Sequence, residues 1–205
     1  MFGRDRRGTP ADLLVIGMGN PGAEYDGSRH NVGAETVALL ARRHGGKTLG
    51  KSREKALVAE VTIDGRRVVL AFPQTYYNDA GLAVRLLAHR HGIVEPAQVV
   101  IVHDELDLPV GRIKLKLGGG LAGNNGLRSI RQHLHTDDFA RVRIGIGKPG
   151  DKTQGANHVL KRPGKRDRGE LDIIVQEAAD AVEAILREGI AAAMNRYNTR
   201  PEPTT

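Results

Sequence analysis

The side chains best suited to chemistry in this sequence are one histidine, one aspartate and three asparagines on segments far apart in the chain. They are His30 in SRHN, Asp104 in HDELD, and Asn20, Asn78 and Asn125. A His–Asp pair suits general-base work, because the carboxylate accepts one ring N–H, fixes the tautomer and supports the imidazolium that forms. Asparagine amides can hydrogen-bond an ester carbonyl, a peptide backbone or an attacking water without adding charge beside the base. Such parts fit acyl transfer in which activated water attacks directly. There is no G-x-S-x-G elbow, and the absence of cysteine excludes a thiol nucleophile, a zinc–thiolate centre and a disulfide scaffold. Plainer readings stand beside this one. Asn20 could tolerate the turn before Pro21, Asn78 and Asn125 could be helix N-caps, and His30 could be a surface residue next to Arg29.

Two other motifs carry less. Gly17, Gly19 and Gly22 satisfy G-x-G-x-x-G after a strand-like run. Pro21 removes an N–H that a phosphate cradle would use, AEYDGSR intervenes before any helix, and the later stretch ALLARRHGG lacks a ribose-binding acid. No dinucleotide cofactor is expected. His103, Asp104, Glu105 and Asp107 could hold a divalent cation, but no H-x-x-x-H or D-x-D motif accompanies them. No metal is expected either.

Lys plus Arg outnumber Asp plus Glu by 31 to 24, a formal charge of +7 that favours a polyanionic partner. With 3% aromatic residues there is little base-stacking surface, so phosphate contacts would have to carry nucleic-acid binding. In GRIKLKL, Lys114 and Lys116 share one strand face; in RVRIGIG, Arg141 and Arg143 do the same. If these strands are neighbours, the four cations form one patch that could clamp a phosphate. A solvated outer face is the alternative.

The elements that must position these groups follow from pattern. LLVIG from Leu13 and VVIV over Val99–Val102 read as buried strands, the second ending in HDELDLP. Asp64-Gly65 between two β-rich runs predicts a hairpin. Helices are expected from an Asn31 cap to about Arg43, over Leu82–His91, over Leu127–Leu134, and along a stripe of Leu171, Ile174, Val175, Ala178, Val182, Ile185 and Leu186. KPGDKTQG and PQTYYNDAG read as loops, and KRPGKRDRG as an exposed basic stretch. The expected fold is a single α/β domain, a twisted mixed β-sheet with helices on both faces, over residues 13–198. Residues 1–12 would form a flexible arm and 199–205 a flexible tail. The N-terminal residues lack the apolar core of a signal peptide, and no apolar run approaches the ~20 residues a membrane span needs, so a soluble cytoplasmic protein is expected.

GMGNPGAEYDGSRHNVG, PQTYYNDAG, VHDELDLPVGRIKLKLGGGLAGNNGL and RVRIGIGKPGD resemble, in order and spacing, the signature blocks of bacterial peptidyl-tRNA hydrolases, over about Leu13 to Asn198. The resemblance implies a monomer that needs no metal or cofactor and hydrolyses the ester joining a stranded peptide to the 3′ ribose of tRNA. It places His30 as the base, Asp104 as its partner, and Asn20 beside the histidine and the ester. Asn78 and Asn125 would hold peptide and water, Tyr25 the 3′ end, and Tyr77 a wall of the substrate site. Lys116 and Arg143 would clamp the 5′-phosphate, with Lys114 and Arg141 alongside. The partners implied are the acceptor stem and 3′ end of tRNA and the nascent peptide; the alternative is a non-catalytic RNA-binding relative of the same fold. Two positions depart from the usual pattern: Asn124 stands where His is more frequent, and Tyr77 where many relatives carry Met.

Overall fold

The computed structural model describes residues 9–45, 48–149 and 155–199. Its frame is a seven-stranded mixed sheet, in spatial order β2 (Gly50–Lys51), β3 (Ala56–Ile63), β4 (Arg66–Pro73), β1 (Leu13–Gly17), β5 (Val99–Glu105), β7 (Ala140–Gly145) and β6 (Ile113–Leu117). β4, β1, β5 and β7 run parallel; β2, β3 and β6 complete the sheet with antiparallel pairings. β1 lies in the middle and is buried on both faces. Leu13 and Val15 join one core, Leu14 and Ile16 the other, which explains its unbroken apolar run.

One core holds α1 (Val32–Gly45), α5 (Lys165–Glu188) and α6 (Ile190–Asn198); the other holds α2 (Ala80–Arg90) and α3 (Asn125–Leu134). All seven residues of the predicted stripe are buried in α5. Full burial of each Leu, Ile or Val contributes about 1.5–3 kcal/mol, so this face fixes α5 against the sheet and α1. The hairpin at Asp64-Gly65 forms as expected, both residues having positive φ and Ile63 pairing with Arg66.

Several expectations are corrected. β5 does not stop at Val102. Its ladder with β7 continues through His103–Arg143, Asp104–Ile144 and Glu105–Gly145, so the charged cluster is strand, held there by a neighbour some forty residues on. Asn31 does not cap α1: its side chain instead pairs with the Asn20 backbone, accepting from N at 2.9 Å and donating to O at 3.0 Å. A short helix, α4 (Gly155–Leu160), stands where the sequence pattern gives no helix signal, and α6 follows α5 after a break at Gly189 (φ 83°). Asn198 in α6 mimics a strand, exchanging 2.8 and 2.9 Å bonds with Leu115 N and O, and so covers the open edge of β6.

Packing also begins before Leu13. Ala11 is buried and its N–H donates to His91 O, and Asp12 exchanges bonds with the Arg67 backbone. The rest of the expected arm, residues 1–8, lies outside the described residues, as do 200–205 of the expected tail and 150–154 of the KPGDKTQG loop. The basic stretch is only partly free, since Arg168 pairs with Glu35 and Asp172 while Asp167 holds Arg29.

Candidate active site

Three strand ends and the starts of α1 and α3 converge on a groove of about 610 Å³ that Asn20, His30, Tyr77, Asn78, Asp104 and Asn125 all line. The approach is made possible by small residues. A Cβ at Gly33, at the start of α1, would sit 2.2 Å from Val102 O and 2.6 Å from Met18 N, and one at Gly17 would sit 2.2 Å from Gly33 O. Glycine at both positions lets α1 begin against β1 and β5, which carries His30 to Asp104. The first glycine of GMGNPG therefore serves helix–strand packing.

His30 Nδ1 lies 2.9 Å from both carboxylate oxygens of Asp104. A carboxylate only accepts, so Nδ1 carries the hydrogen and Nε2 is the nitrogen free to take a proton. Asp104 is almost wholly buried and His30 keeps 15% of its side chain exposed, a base at the groove wall with its partner behind it. Asp104 Oδ1 also accepts from the Tyr77 hydroxyl at 3.0 Å, and the Tyr77 ring stacks on the imidazole with centroids 3.6 Å apart and planes 17° from parallel. Burial, then the negative charge of Asp104, pushes the Tyr77 hydroxyl well above the ordinary tyrosine pKa, so it remains a donor.

Asn20 is a buried strut. Its Oδ1 accepts from Tyr77 N at 2.8 Å, which ties the GMGNPG and PQTYYN loops together and leaves its amide N–H groups as the remaining donors. Asn78 and Asn125 are exposed at the groove rim, in the turn before α2 and on the first residue of α3. Neither is an N-cap: the cap of α3 is Asn124, whose Oδ1 accepts from Leu127 N at 3.0 Å. Tyr76, 63% exposed, together with Leu106, Val159 and Leu160 adds apolar wall. Sequence reading did not nominate these four, nor Asn31 as the partner of Asn20. Tyr77 itself is buried and faces His30 more than it faces the groove. Tyr25, in a short turn at Ala23–Tyr25, is not part of the groove lining.

β6 and β7 are neighbours, and the register sets Lys114 opposite Arg143 and Lys116 opposite Arg141, so the four cations do share a face. They are not equivalent. Arg141 is 2% exposed, and its guanidinium donates to the carbonyls of Gly118, Gly119 and Gly120. It staples the glycine-rich loop from below and is corrected from phosphate ligand to loop anchor. Arg143 remains at the surface, held by Glu105 through Nε and a terminal nitrogen, each at 3.0 Å. His103 and Asp104 point to opposite faces of β5, and among the described residues no cluster of three His, Asp or Glu stands ready for a cation. A second groove, about 640 Å³ and lined by Lys51, Glu54, Glu60, His89 and Arg90, lacks the His–Asp pair, and two of its charges close on each other, Arg90 on Glu54 at 3.5 Å.

The chain is similar to known proteins over nearly its whole length. The family model described as peptidyl-tRNA hydrolase matches residues 14–204. The peptidyl-tRNA hydrolase of Rhodococcus erythropolis is 49% identical over 90% of this chain and 97% of its own, and that of Cutibacterium acnes 46% over 91% and 98%. The crystal structure of peptidyl-tRNA hydrolase from Acinetobacter baumannii superposes with a TM-score of 0.85 at 36% identity, covering 94% of this chain and 97% of that one. With its mixed sheet, its His30–Asp104 pair and this similarity over nearly the whole length, the chain belongs to the peptidyl-tRNA hydrolase family.

Proposed function

We propose that the chain hydrolyses the ester between a peptide, or an N-blocked aminoacyl group, and the 3′-terminal ribose of tRNA, with His30 as general base. The observation that carries this is the 2.9 Å approach of His30 Nδ1 to Asp104, which leaves Nε2 at the groove. Nε2 takes a proton from water, and the hydroxide attacks the ester carbonyl. Amide donors of Asn20, Asn78 and Asn125 position the peptide and water and hold the oxyanion. As the tetrahedral intermediate collapses, the C–O bond to the ribose breaks and the imidazolium returns its proton to the 3′ oxygen. Every step is assigned to side chains of the protein, with no metal or cofactor.

The acceptor stem docks its phosphates on Lys116 and Arg143 with Lys114 beside them, while the peptide lies along Tyr76, Leu106 and Leu160. Tyr25 receives the 3′ end from the turn at Ala23–Tyr25. A monomer working in the cytoplasm suits a tRNA substrate and a cysteine-free sequence; sedimentation equilibrium and cell fractionation check those points. The central test is incubation with N-acetyl-aminoacyl-tRNA in EDTA, following ester release. Release is expected. Binding without release would identify a silent RNA-binding relative instead, and release only after Mg²⁺ is restored would identify a metal-dependent enzyme.

A further inference from the structure

We infer that Tyr77 is a positioning residue for the His30 base and that Asn124 acts through it, Asn124, Tyr77, Asp104 and His30 forming one connected hydrogen-bonded chain from the start of α3 to the imidazole. The inference rests on the reading of His30 as base. Its geometry is continuous. Asn124 Oδ1 is committed to Leu127 N at 3.0 Å, so the amide nitrogen faces the other way and donates to the Tyr77 hydroxyl at 3.0 Å. A phenol oxygen that accepts from an amide turns its single hydrogen toward its other neighbour, here Asp104 Oδ1 at 3.0 Å. The same oxygen receives His30 Nδ1–H at 2.9 Å. Asn124 thus donates to Tyr77, and Tyr77 and His30 both donate to Asp104, so four side chains from four segments converge on one carboxylate.

The surroundings are shaped around this chain. A Cβ at Gly126 would lie 2.5 Å from Tyr77 Cε1, so α3 packs on the tyrosine because that position of the helix is glycine. Asn20 fixes the Tyr77 backbone at 2.8 Å, and the stacked ring fixes the plane of the imidazole. The charged groups that bear on the chain are Asp104 and Glu105 of β5, and Glu105 is already paired with Arg143.

The direction of the effect follows. Donation from Tyr77 spreads part of the Asp104 negative charge away from His30, so the carboxylate orients the ring without over-stabilising the imidazolium. Without the hydroxyl, Asp104 pulls harder on the imidazolium and the ring loses one constraint.

The test is Tyr77→Phe, which keeps the stacked ring, beside Asn124→Ser, which keeps a capping oxygen for α3 but is too short to reach the phenol. His30 pKa is read directly by NMR, and kcat and KM are followed against pH. In Tyr77→Phe the acidic limb of kcat/KM should move to higher pH, and the His30 resonances should follow it. The kcat should fall about 10-fold with KM little changed. Asn124→Ser should shift both in the same direction by less, and Tyr77→Phe should add less in that background than it does alone. An unmoved His30 pKa in folded Tyr77→Phe, or equal additive losses in the two variants, would overturn the proposal. The titration needs no turnover, so the relay can fail while the base assignment stands. Undiminished turnover in His30→Ala, by contrast, removes the base assignment itself.

Discussion

Both oxygens of the Asp104 carboxylate stand 2.9 Å from His30 Nδ1, although 74 residues separate the two in the chain, and one of those oxygens also receives the Tyr77 hydroxyl. The carboxylate is therefore the point at which β5, the start of α1 and the PQTYYN turn agree on the orientation of one ring.

Asp104→Asn keeps the shape but reverses a donor. With Tyr77 still donating to the amide oxygen, the new NH₂ group faces His30 Nδ1 and makes that nitrogen the acceptor, so Nε2 carries the hydrogen and cannot take one from water. Turnover should fall by about 10²–10⁴-fold, with KM near the starting value. Single-turnover release from N-acetyl-aminoacyl-tRNA measures this, and a rate equal to the parent's would end the role given to Asp104.

The three asparagines should separate by stability. Asn20 supports the buried Tyr77 N–H, so Asn20→Ala should cost about 1–3 kcal/mol in urea unfolding as well as turnover. Asn78 is exposed at the rim, and Asn78→Ala should stay within about 0.5 kcal/mol of the parent while losing up to about 10²–10³-fold in kcat. Equal destabilisation by the two changes would show that Asn20 is not the strut described.

The cations on β6 and β7 should divide in the same way. Lys116→Ala with Arg143→Ala should weaken tRNA binding and flatten its log–log salt dependence by roughly 0.7–0.9 for each phosphate no longer neutralised. Arg141→Ala should leave that slope alone and lower stability by about 1–3 kcal/mol, because the loop carbonyls lose their donor. Salt titrations of tRNA binding together with urea midpoints read both effects; a slope that moves only with Arg141 would reverse the assignment.

His91 gives the pH dependence of stability. It is 3% exposed, and burial lowers its pKa below the usual value, with Glu60, Glu54, Arg90 and Arg67 as the charges around it. The unfolded chain then holds the proton more readily than the folded one. Stability from this group is full above about pH 6.5 and is lost as pH falls through and below that value. Urea midpoints at pH 7.5 and 5.5 should differ less in His91→Gln than in the parent; an identical acid loss in both would place the sensitivity elsewhere, with buried His103 the next group to test.

Local pattern determined a good deal of this protein. Period-two alternation put Lys114, Lys116, Arg141 and Arg143 on common strand faces, the Asp64-Gly65 turn fixed a hairpin, and an apolar stripe defined α5, because backbone geometry alone sets those relations. The His, Asp and Asn residues were legible as chemistry by type. What one strand's pattern could not contain was its neighbour. Pairing with β7 extends β5 through Asp104, tertiary contact turns Asn31 from a helix cap into a partner for Asn20, and the glycine loop takes Arg141 away from solvent. The link from Asn124 through Tyr77 to Asp104 joins three segments whose order in sequence gives no hint of contact. Hydrogen bonds and close packing across distant segments depend on where the whole sheet brings them, and that is decided only when both cores close.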